Sequence, residues 1–340
     1  MSDPPNSVRD YRPANSVRHY RRWDILGLGV VAVDDLLYVD RFPRPNTKMR
    51  IHSKRRQGGG LTATALVAAA RLGARTAFVA VLGDDELSRF TLEEMEREGV
   101  DCAPVLRREE ARPVHAVVIV DRSTGERTIL YTDDGMVSVR SEEIGADLIA
   151  GCRLLFVDFT AAEGGLRAVE LAHAHGIPVV ADIEQESAPC MADLIPLVDH
   201  LIVDAEMAGR ATGETQPESM VRRLAQPSPG GAQPHSGGAR PERACTVVTA
   251  GEKGCWYAEW GGQVLHFPAY RVNVVDTTGC GDVFHGAYAA CIAGGESVPA
   301  AIRIATAAAA LKATQPGGRS GIPTRAVVEA FLSERPRPQP

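Results

Sequence analysis

Residues 275–286 read VDTTGCGDVFHG and combine features that suit the binding of an anion beside a carboxylate. A strand-like stretch precedes this segment and a helix-like stretch follows it, so a glycine-rich turn opens a helix. The first N–H groups of a helix lack internal partners and carry partial positive charge, which suits an anion. Gly279 and Gly281 would let the backbone approach that anion closely, and Asp282 would then lie beside it.

The carboxylate of Asp282 has two interpretations. In the first, it only accepts hydrogen bonds from N–H groups at the helix start, which contributes about 1 kcal/mol. In the second, it is a general base that takes the proton of a substrate hydroxyl while the N–H groups hold a phosphoryl group. The spacing alone leaves both interpretations open.

The composition argues against several classes of function. The chain has 340 residues, of which 44% are hydrophobic and 24% charged, and its net charge of −6 gives no reason to expect nucleic acid or an anionic membrane as partner. The sequence contains no uninterrupted run of about 18 apolar residues, so no membrane span is expected. Scattered cysteines without a C-x-x-C pair favour reduced thiols and a cytoplasmic location. We interpret residues 1–22 as a polar, flexible leader and not as a secretory signal.

Apolar runs that alternate with helical patterns predict the fold. The expected strands of the main sheet are residues 24–33, 76–82, 154–157, 177–181, 200–203 and 270–275. The expected helices are residues 61–72, 88–98, 163–175 and 283–293. Such alternation is typical of βαβ units, so we expect an α/β fold with a doubly wound, mainly parallel sheet and helices on both faces.

Some segments interrupt this pattern. Residues 48–57 and the hairpin-like residues 113–131 are polar or alternating, and we expect them to form a small accessory sheet. A second hairpin is expected at residues 255–267. Residues 226–243 are rich in Pro, Gly and Ser, which predicts a mobile surface loop.

Three ordered motifs resemble the ribokinase-like, or phosphofructokinase-B type, family of carbohydrate kinases. DTTGCGD at residues 276–282 resembles the family signature DTxGAGD. Gly59 and Gly60, followed by ATALVAAARLGARTAFVAVLGDD, resemble its N-terminal glycine pair and helix, and TAGEKG at residues 249–254 resembles its T-x-G-x-x-G nucleotide segment. The resemblance extends from about Asp24 to Leu332.

The resemblance implies one kinase domain that carries a lid. The domain would cover residues 23–333, with a short tail at residues 334–340. The small β-sheet lid would come from about residues 41–57 and 112–135. Because lid strands of this family often pair between subunits, the resemblance also implies a homodimer.

The implied activity is the ATP-dependent phosphorylation of a hydroxyl group on a sugar, with Mg²⁺ as cofactor. By motif, Asp282 is then the catalytic base. The implied anion hole is the backbone of Gly279, Cys280 and Gly281. The implied substrate-binding residues are Asp34, Gly59 and Gly60, and the implied ATP-binding residues are Asp204, Thr249, Gly251 and Gly254. Some members hold a monovalent cation such as K⁺ at the positions of Asp276 and Thr278, together with carbonyls near Gly317 to Gly321.

Departures from the family pattern concern the substrate more than the reaction. Leu61 and Thr64 stand where many members have asparagines that contact the sugar, and Thr64 is the polar substrate-binding candidate of the two. Met207 stands at the glutamate position of the family's N-x-x-E motif, which starts at Asp204 here. His285, where many members have asparagine, is expected to be a packed helix residue.

Two subgroups share further segments with this chain. VVDTTGCGDVFHGA and ALKATQPGGRSGIP are similar to bacterial 6-deoxy-6-sulfofructose kinases, which also have a lysine at the position of Lys48. RSTGERTILYTD is similar to ketohexokinase. We therefore expect a ketose substrate, and an anionic one such as sulfofructose if Lys48 pairs with it. Thr160, at the position of an expected arginine, argues against a sulfonate.

Other functions stay open at this stage. A nucleoside kinase of the adenosine type and a non-catalytic sugar- or nucleotide-binding regulator are both compatible with the same motifs. Gly27-x-Gly29-x-x-Ala32 fits a dinucleotide fingerprint, but that fingerprint requires a helix after the glycines, and strand is expected here.

Overall fold

A main sheet of nine strands forms the centre of the part of the chain that the computed structural model describes, which is residues 21–124, 126–185, 191–226 and 243–335. Its strands are β1 (Trp23–Leu28), β4 (Thr76–Val79), β6 (Val100–Asp101), β10 (Cys152–Asp158), β11 (Val179–Asp182), β12 (His200–Asp204), β13 (Cys245–Thr249), β14 (Cys255–Glu259) and β15 (Leu265–Phe267). The spatial order is β15-β14-β13-β12-β11-β10-β1-β4-β6. Strands β13 to β6 in this order are parallel, and β14 and β15 are an antiparallel extension.

Helices cover both faces of the main sheet. One face carries α1 (Leu61–Arg71), α2 (Glu86–Arg97), α8 (Cys280–Ala293), α9 (Val298–Ala313) and α10 (Arg325–Glu334). The other carries α3 (Ala146–Ala150), α4 (Ala162–Ala174), α5 (Met191–Leu194), α6 (Ala205–Thr212) and α7 (Pro217–Ala225). Successive residues of a strand point to opposite faces, so Leu154 and Phe156 enter one core while Leu155 and Val157 enter the other. The predicted doubly wound α/β architecture is confirmed.

A separate sheet of four strands lies beside the main sheet and confirms the predicted accessory sheet. Its strands are β2 (Ala32–Val39), β3 (Ser53–Gly59), β8 (Val114–Asp121) and β9 (Arg127–Thr132), in the order β3-β2-β8-β9. Two short strands, β5 (Val81–Leu82) and β7 (Leu106–Arg107), pair with each other. The prediction of one main-sheet strand over residues 76–82 is therefore wrong, because the chain leaves the main sheet after Val79. The edge strand β9 exposes Ile129, Leu130 and Tyr131. Pairing of this sheet between two subunits stays a prediction.

Three predicted segments fall largely outside the described residues. The leader at residues 1–22 is described only from residue 21, and the loop at residues 226–243 is described only at its two ends. Most of the predicted tail, residues 336–340, also lies outside. Within the described residues, none of the helices is long and apolar enough to cross a membrane.

The prediction of one strand over residues 24–33 is wrong, because the chain leaves the main sheet in the middle of this run. β1 ends at Leu28, and the Asp158 carboxylate accepts hydrogen bonds from the Val30 N–H and the Thr62 hydroxyl, each at 2.7 Å. A Cβ atom at Gly29 would lie 2.2 Å from Asp158 Oδ2, so only glycine permits this approach. The chain continues into β2 without a helix, which excludes the dinucleotide fingerprint.

The prediction of a strand at residues 270–275 is also wrong. The N–H groups of Val275 and Asp276 both donate to the carbonyl of Ala313, at 2.8 and 3.1 Å. These donors therefore bind the end of α9 instead of a neighbouring strand. The helix that follows starts at Cys280, three residues before the predicted boundary of 283.

The contact between Gly29 and Asp158 yields a prediction about stability. Gly29→Ala should lower the free energy of unfolding by about 1 to 3 kcal/mol, because the new methyl group overpacks a buried, hydrogen-bonded carboxylate. Gly209→Ala is the control, since the Cβ there would first meet the flexible end of Met220 at 3.3 Å. Urea unfolding compares the two variants with the wild type. Equal stability of all three proteins would show that Asp158 does not need the space at Gly29.

Candidate active site

Polar side chains from neighbouring strands meet at the carboxyl edge of the main sheet. β10, β11 and β12 end at Asp158, Asp182 and Asp204, and β13 ends at Thr249. The strand register places Asp158 beside Asp182 and Asp204 beside Thr249. Open α/β sheets bind their ligands outside this edge, so the structure brings these residues to the expected location.

The glycine-rich turn before α8 has the geometry of an anion cradle. Gly279 has φ 73°, a left-handed conformation, and a Cβ atom there would lie 2.8 Å from the carbonyl oxygen of Gly318. Glycine is therefore required at this position on both grounds. A Cβ atom at Gly281 would meet no atom within 4 Å, so this part of the turn faces open space.

The backbone donors of the turn are unevenly used. Among the described residues, the N–H groups of Gly279, Gly281 and Asp282 have no acceptor. The N–H group of Cys280, by contrast, donates to the Thr277 carbonyl at 3.2 Å. Two of the three predicted anion-hole donors are thus free for a ligand, and Asp282 adds a third that the sequence analysis did not include.

The Cys280 side chain points away from the open side of the turn. Its Sγ atom lies 3.5 Å from the carbonyl of Ala309 in α9. Burial raises the pKa of the Cys280 thiol, so it stays protonated and unreactive at neutral pH. A small side chain is tolerated here because only the backbone faces the cradle.

Asp282 is half-buried in the first turn of α8 and is not a helix cap. The cap position is Gly279, and no side chain of the described residues accepts a capping hydrogen bond at this end. Burial raises the pKa of Asp282 well above its usual range, and the negative charges of Asp182 and Glu184 raise it further. Arg319 opposes this shift. A carboxylate that is free of hydrogen bonds and more basic than usual is suited to proton abstraction.

Arg319 is a buried cation of the site that the sequence analysis missed. Its Nη2 donates to the carbonyl of Gly59 at 2.7 Å, and its Nε donates to the Thr64 hydroxyl at 3.1 Å. A Cβ atom at Gly58 would lie 2.1 Å from Arg319 Nη1. Burial lowers the pKa of Arg319 to about 10, which leaves it charged at neutral pH. Its charge acts on both Asp34 and Asp282.

Asp34 and Asp35 lie on opposite faces of β2 and have different environments. Asp35 accepts two hydrogen bonds from Arg56 at 2.9 Å, which hold the pKa of its carboxyl well below the usual range. Burial raises the pKa of Asp34, against the charge of Arg319. A Cβ atom at Gly59 would lie 2.5 Å from Asp34 Oδ2, so this glycine makes room for the carboxylate.

A cavity of about 250 Å³ lies between the accessory sheet and the loop before α8. Its polar lining residues are Asp34, Gln57, Asp276, Thr278, Asp121, Arg122 and Arg127. Its apolar lining residues include Leu36, Val118 and Val120. The Gln57 side chain is buried, yet neither of its amide atoms has a hydrogen-bond partner among the described residues. An unpartnered amide in a cavity wall is costly unless a ligand completes its hydrogen bonds.

The structure separates the other predicted substrate residues. Gly60 has φ 90° and packs against the backbone of Val31, at the start of α1. Thr64 is buried and accepts the hydrogen bond from Arg319, so it lies behind the glycine pair. Lys48 is exposed on the connection between β2 and β3, and it is not among the described residues that line the cavity.

The predicted nucleotide residues lie along the ends of β12 and β13. Gly251 has φ 55° in the exposed turn between β13 and β14. A Cβ atom at Gly254 would lie 2.1 Å from the carbonyl oxygen of Phe267. The Asp204 carboxylate accepts the Met207 N–H at 2.6 Å and so caps α6. Met207 is buried, which makes it a core residue.

Asp182 and Glu184 provide oxygen atoms that fit Mg²⁺. Asp182 Oδ2 is buried and has no hydrogen-bond partner among the described residues, although it lies 3.3 Å from Nδ1 of His285. Burial and the charge of Glu184 raise the pKa of Asp182. Within the described chain, no three His, Cys, Asp or Glu side chains are grouped closely enough to enclose a metal. Mg²⁺ commonly uses one or two carboxylates together with water and phosphates, which fits this arrangement.

His285 connects the cradle to the sheet. It is buried, as expected, with Nδ1 2.8 Å from the Gly281 carbonyl and Nε2 3.2 Å from the Ile202 carbonyl. It therefore fixes the position of the cradle relative to β12.

An open α/β sheet with an anion cradle beside a basic carboxylate fits one class of protein, a kinase that phosphorylates a hydroxyl group. Residues 25–325 match the sequence profile described as "pfkB family carbohydrate kinase". The chain belongs to this family and is a carbohydrate kinase.

Comparisons with individual proteins agree with this assignment. The chain is 26% identical over 309 residues to a ribokinase of Staphylococcus aureus (strain COL), covering 87% of this chain and 95% of that protein. It is 23% identical over 331 residues to a 5-dehydro-2-deoxygluconokinase of Shouchella clausii (strain KSM-K16), covering 93% and 97%. The crystal structure of a putative ribokinase from Agrobacterium tumefaciens matches with a TM-score of 0.81 and 28% identity, covering 92% and 97%. Two of these proteins are named as ribokinases and one as a 5-dehydro-2-deoxygluconokinase, so the names do not agree on one substrate.

Proposed function

We propose that the protein transfers the terminal phosphoryl group of ATP to a hydroxyl group of a ketose, with Asp282 as the general base. The observation that carries this proposal is the Asp282 carboxylate, which does not cap α8 and has a raised pKa, beside the N–H groups of Gly279 and Gly281 that have no acceptor among the described residues. A helix cap would not leave the carboxylate free of hydrogen bonds. A binding site without catalysis would not need a strong base beside an anion cradle.

The chain's own groups divide the work of the transfer. Asp34 and the unpartnered Gln57 amide would bind sugar hydroxyls in the cavity, and Asp282 would take the proton of the attacking hydroxyl. Such a base contributes about 10²- to 10⁴-fold in rate. The N–H groups of Gly279 and Gly281 would hold the transferred phosphoryl oxygens, and each such donor contributes about 10²- to 10³-fold. The accessory sheet would act as a lid that keeps water from the reaction.

The nucleotide would lie along the predicted segment at the ends of β12 and β13. Thr249 and Gly251 lie there on exposed or partly exposed backbone, next to Asp204. Asp182 and Glu184 would hold Mg²⁺, which neutralises the charge of the nucleotide phosphates. The excess of carboxylates at this edge supports a cation, because it would otherwise repel the phosphates.

Two features of the cavity support an anionic ketose. Arg122 and Arg127 line the cavity; Arg122 pairs with Asp40 at 3.0 Å, so Arg127 is the cation that would meet an anionic group without Lys48. Gln57 supplies an amide beside Asp34, the kind of sugar-binding group that is missing at Leu61 and Thr64. A guanidinium group pairs well with a sulfonate or phosphate.

A nucleoside kinase is the second candidate, and the apolar wall of the cavity favours it. Leu36, Val118 and Val120 offer a surface on which a base could stack or pack. The assays below include adenosine as a competing substrate for this reason.

The assigned base gives the first prediction of function. Asp282→Asn should lower kcat by about 10²- to 10⁴-fold, because the amide cannot accept the proton. The KM for ATP and the thermal unfolding midpoint should change little. Asp147→Asn, in the exposed first turn of α3, is the matched control and should keep full activity. ADP release with Mg²⁺, ATP and a panel of sugars is the measurement, and near-normal turnover of Asp282→Asn would refute the role.

The substrate class gives the second prediction. In a thermal-shift series with fructose, 6-deoxy-6-sulfofructose, ribose and adenosine, the anionic ketose should raise the unfolding midpoint most, by mass action. Arg127→Met should remove its advantage over fructose, whereas the exposed Arg223→Met in α7 should not. A larger shift with adenosine than with the anionic ketose would rule out the anionic ketose. The same conclusion would follow if Arg127→Met kept the wild-type preference for the anionic ketose over fructose.

A further inference from the structure

Lys312 is a fully buried lysine near the end of α9, and the mechanism above does not use it. Its Nζ atom donates a hydrogen bond to the main-chain carbonyl of Asp276 at 2.9 Å. Asp276 is the first residue of the DTTGCGD segment. The ammonium group therefore lies directly behind the turn that forms the anion cradle.

Burying an ammonium group costs several kcal/mol unless negative groups compensate. Burial lowers the pKa of Lys312, and the negative charge of Asp276 opposes that shift, while the positive charge of Arg127 adds to it. Lys312 also lies within electrostatic reach of Asp282. The segment 276–282 thus supplies the groups that keep this ammonium charged, which is a reason for a lysine at this position.

Asp276 joins three parts of the chain through its oxygen atoms. Its Oδ1 accepts the Thr278 N–H and its Oδ2 accepts the Gly317 N–H, both at 2.8 Å. Its main-chain carbonyl accepts the hydrogen bond from Lys312. The oxygen atoms that a monovalent cation would use at Asp276 therefore already have donors, and one of these donors is itself a cation. A K⁺ ion in the expected site would have to share the Asp276 oxygens with their present donors and lie beside the Lys312 ammonium group, so the residues present disfavour it.

We infer that the Lys312 ammonium group is a built-in monovalent cation for the anion cradle, so that the kinase needs no K⁺ for full activity. Lys312 is a positioning residue, because it acts through Asp276 on the turn that carries Gly279 and Gly281. The inference rests on the proposed function only where it concerns turnover. The occupancy of the ion site is a separate claim about the folded protein.

The wild-type protein provides the first test. In a tetramethylammonium buffer that lacks K⁺, Na⁺ and NH₄⁺, addition of KCl should change kcat/KM by less than about twofold, whereas coupled binding of an effector typically changes an affinity by about 5- to 150-fold. The thermal unfolding midpoint should be the same in KCl as in an equal concentration of tetramethylammonium chloride. A saturable rise in kcat/KM or in the midpoint that is specific to K⁺ would overturn the inference.

Two substitutions with different volumes provide the second test. Lys312→Ala removes the charge and leaves space, so kcat should fall and K⁺ or NH₄⁺ should restore it by about tenfold or more. Lys312→Met removes the charge but fills the space, so kcat should fall without rescue. Arg303→Ala, on the exposed side of the same helix, should behave as wild type. A merely structural role for Lys312 would give no ion-specific rescue, and either full activity of Lys312→Met without K⁺ or absence of rescue in Lys312→Ala would overturn the inference.

The two claims fail in different ways. If the wild type phosphorylates no sugar or nucleoside, the proposed function fails, while the unfolding midpoint still decides whether K⁺ binds. If the variants do not fold, the ion dependence of the wild type decides both parts of the inference.

Discussion

Negative charge concentrated at one edge of the main sheet is the constraint on which the site depends. Asp182 and Glu184 lie close enough to Asp282 to disfavour its ionisation, and Glu184 disfavours that of Asp182 in the same way. This repulsion, added to burial, makes Asp282 a stronger base than an isolated aspartate. The buried cations Arg319 and Lys312 offset part of the charge and keep the surrounding fold compatible with it.

The site also depends on the absence of side chains at particular glycines. Gly29, Gly58, Gly59 and Gly279 each stand where a Cβ atom would approach a polar atom of another segment to within 2.8 Å or less. Without Cβ atoms, charged groups reach the backbone that positions them. These glycines therefore make room for the polar and charged atoms of the site, in addition to allowing the backbone conformations of its turns.

Local patterns in the sequence predicted the parts of the site that the local chain determines. The turn and helix around Gly279 and Asp282 follow from neighbouring residues, and so does the order of strands and helices. The break in the strand at Gly29 could not be predicted in this way, because it depends on a distant residue. The Asp158 carboxylate accepts a hydrogen bond from the Val30 N–H, and the two residues are 128 positions apart in the chain.

Gln57, Arg319 and Lys312 were missed for a related reason. Arginine and lysine are usually exposed, so a sequence alone gives no signal that Arg319 and Lys312 are buried. Their partners are far away in the chain, and only the fold brings them together. Conversely, Lys48 had a promising sequence context, but the structure leaves it exposed and places Arg122 and Arg127 in the cavity wall.

The pH dependence of kcat/KM for the sugar, at saturating ATP and Mg²⁺, tests the central claim most directly. The base must be ionised, so activity should fall as the pH drops through the pKa of Asp282, which burial raises first and the neighbouring carboxylates raise further. This acidic limb should lie above the ordinary aspartate value of about 3.9, and the residual activity of Asp282→Asn should lack it. A wild-type profile that stays flat to about pH 4, or a limb that is identical in Asp282→Asn, would contradict the account.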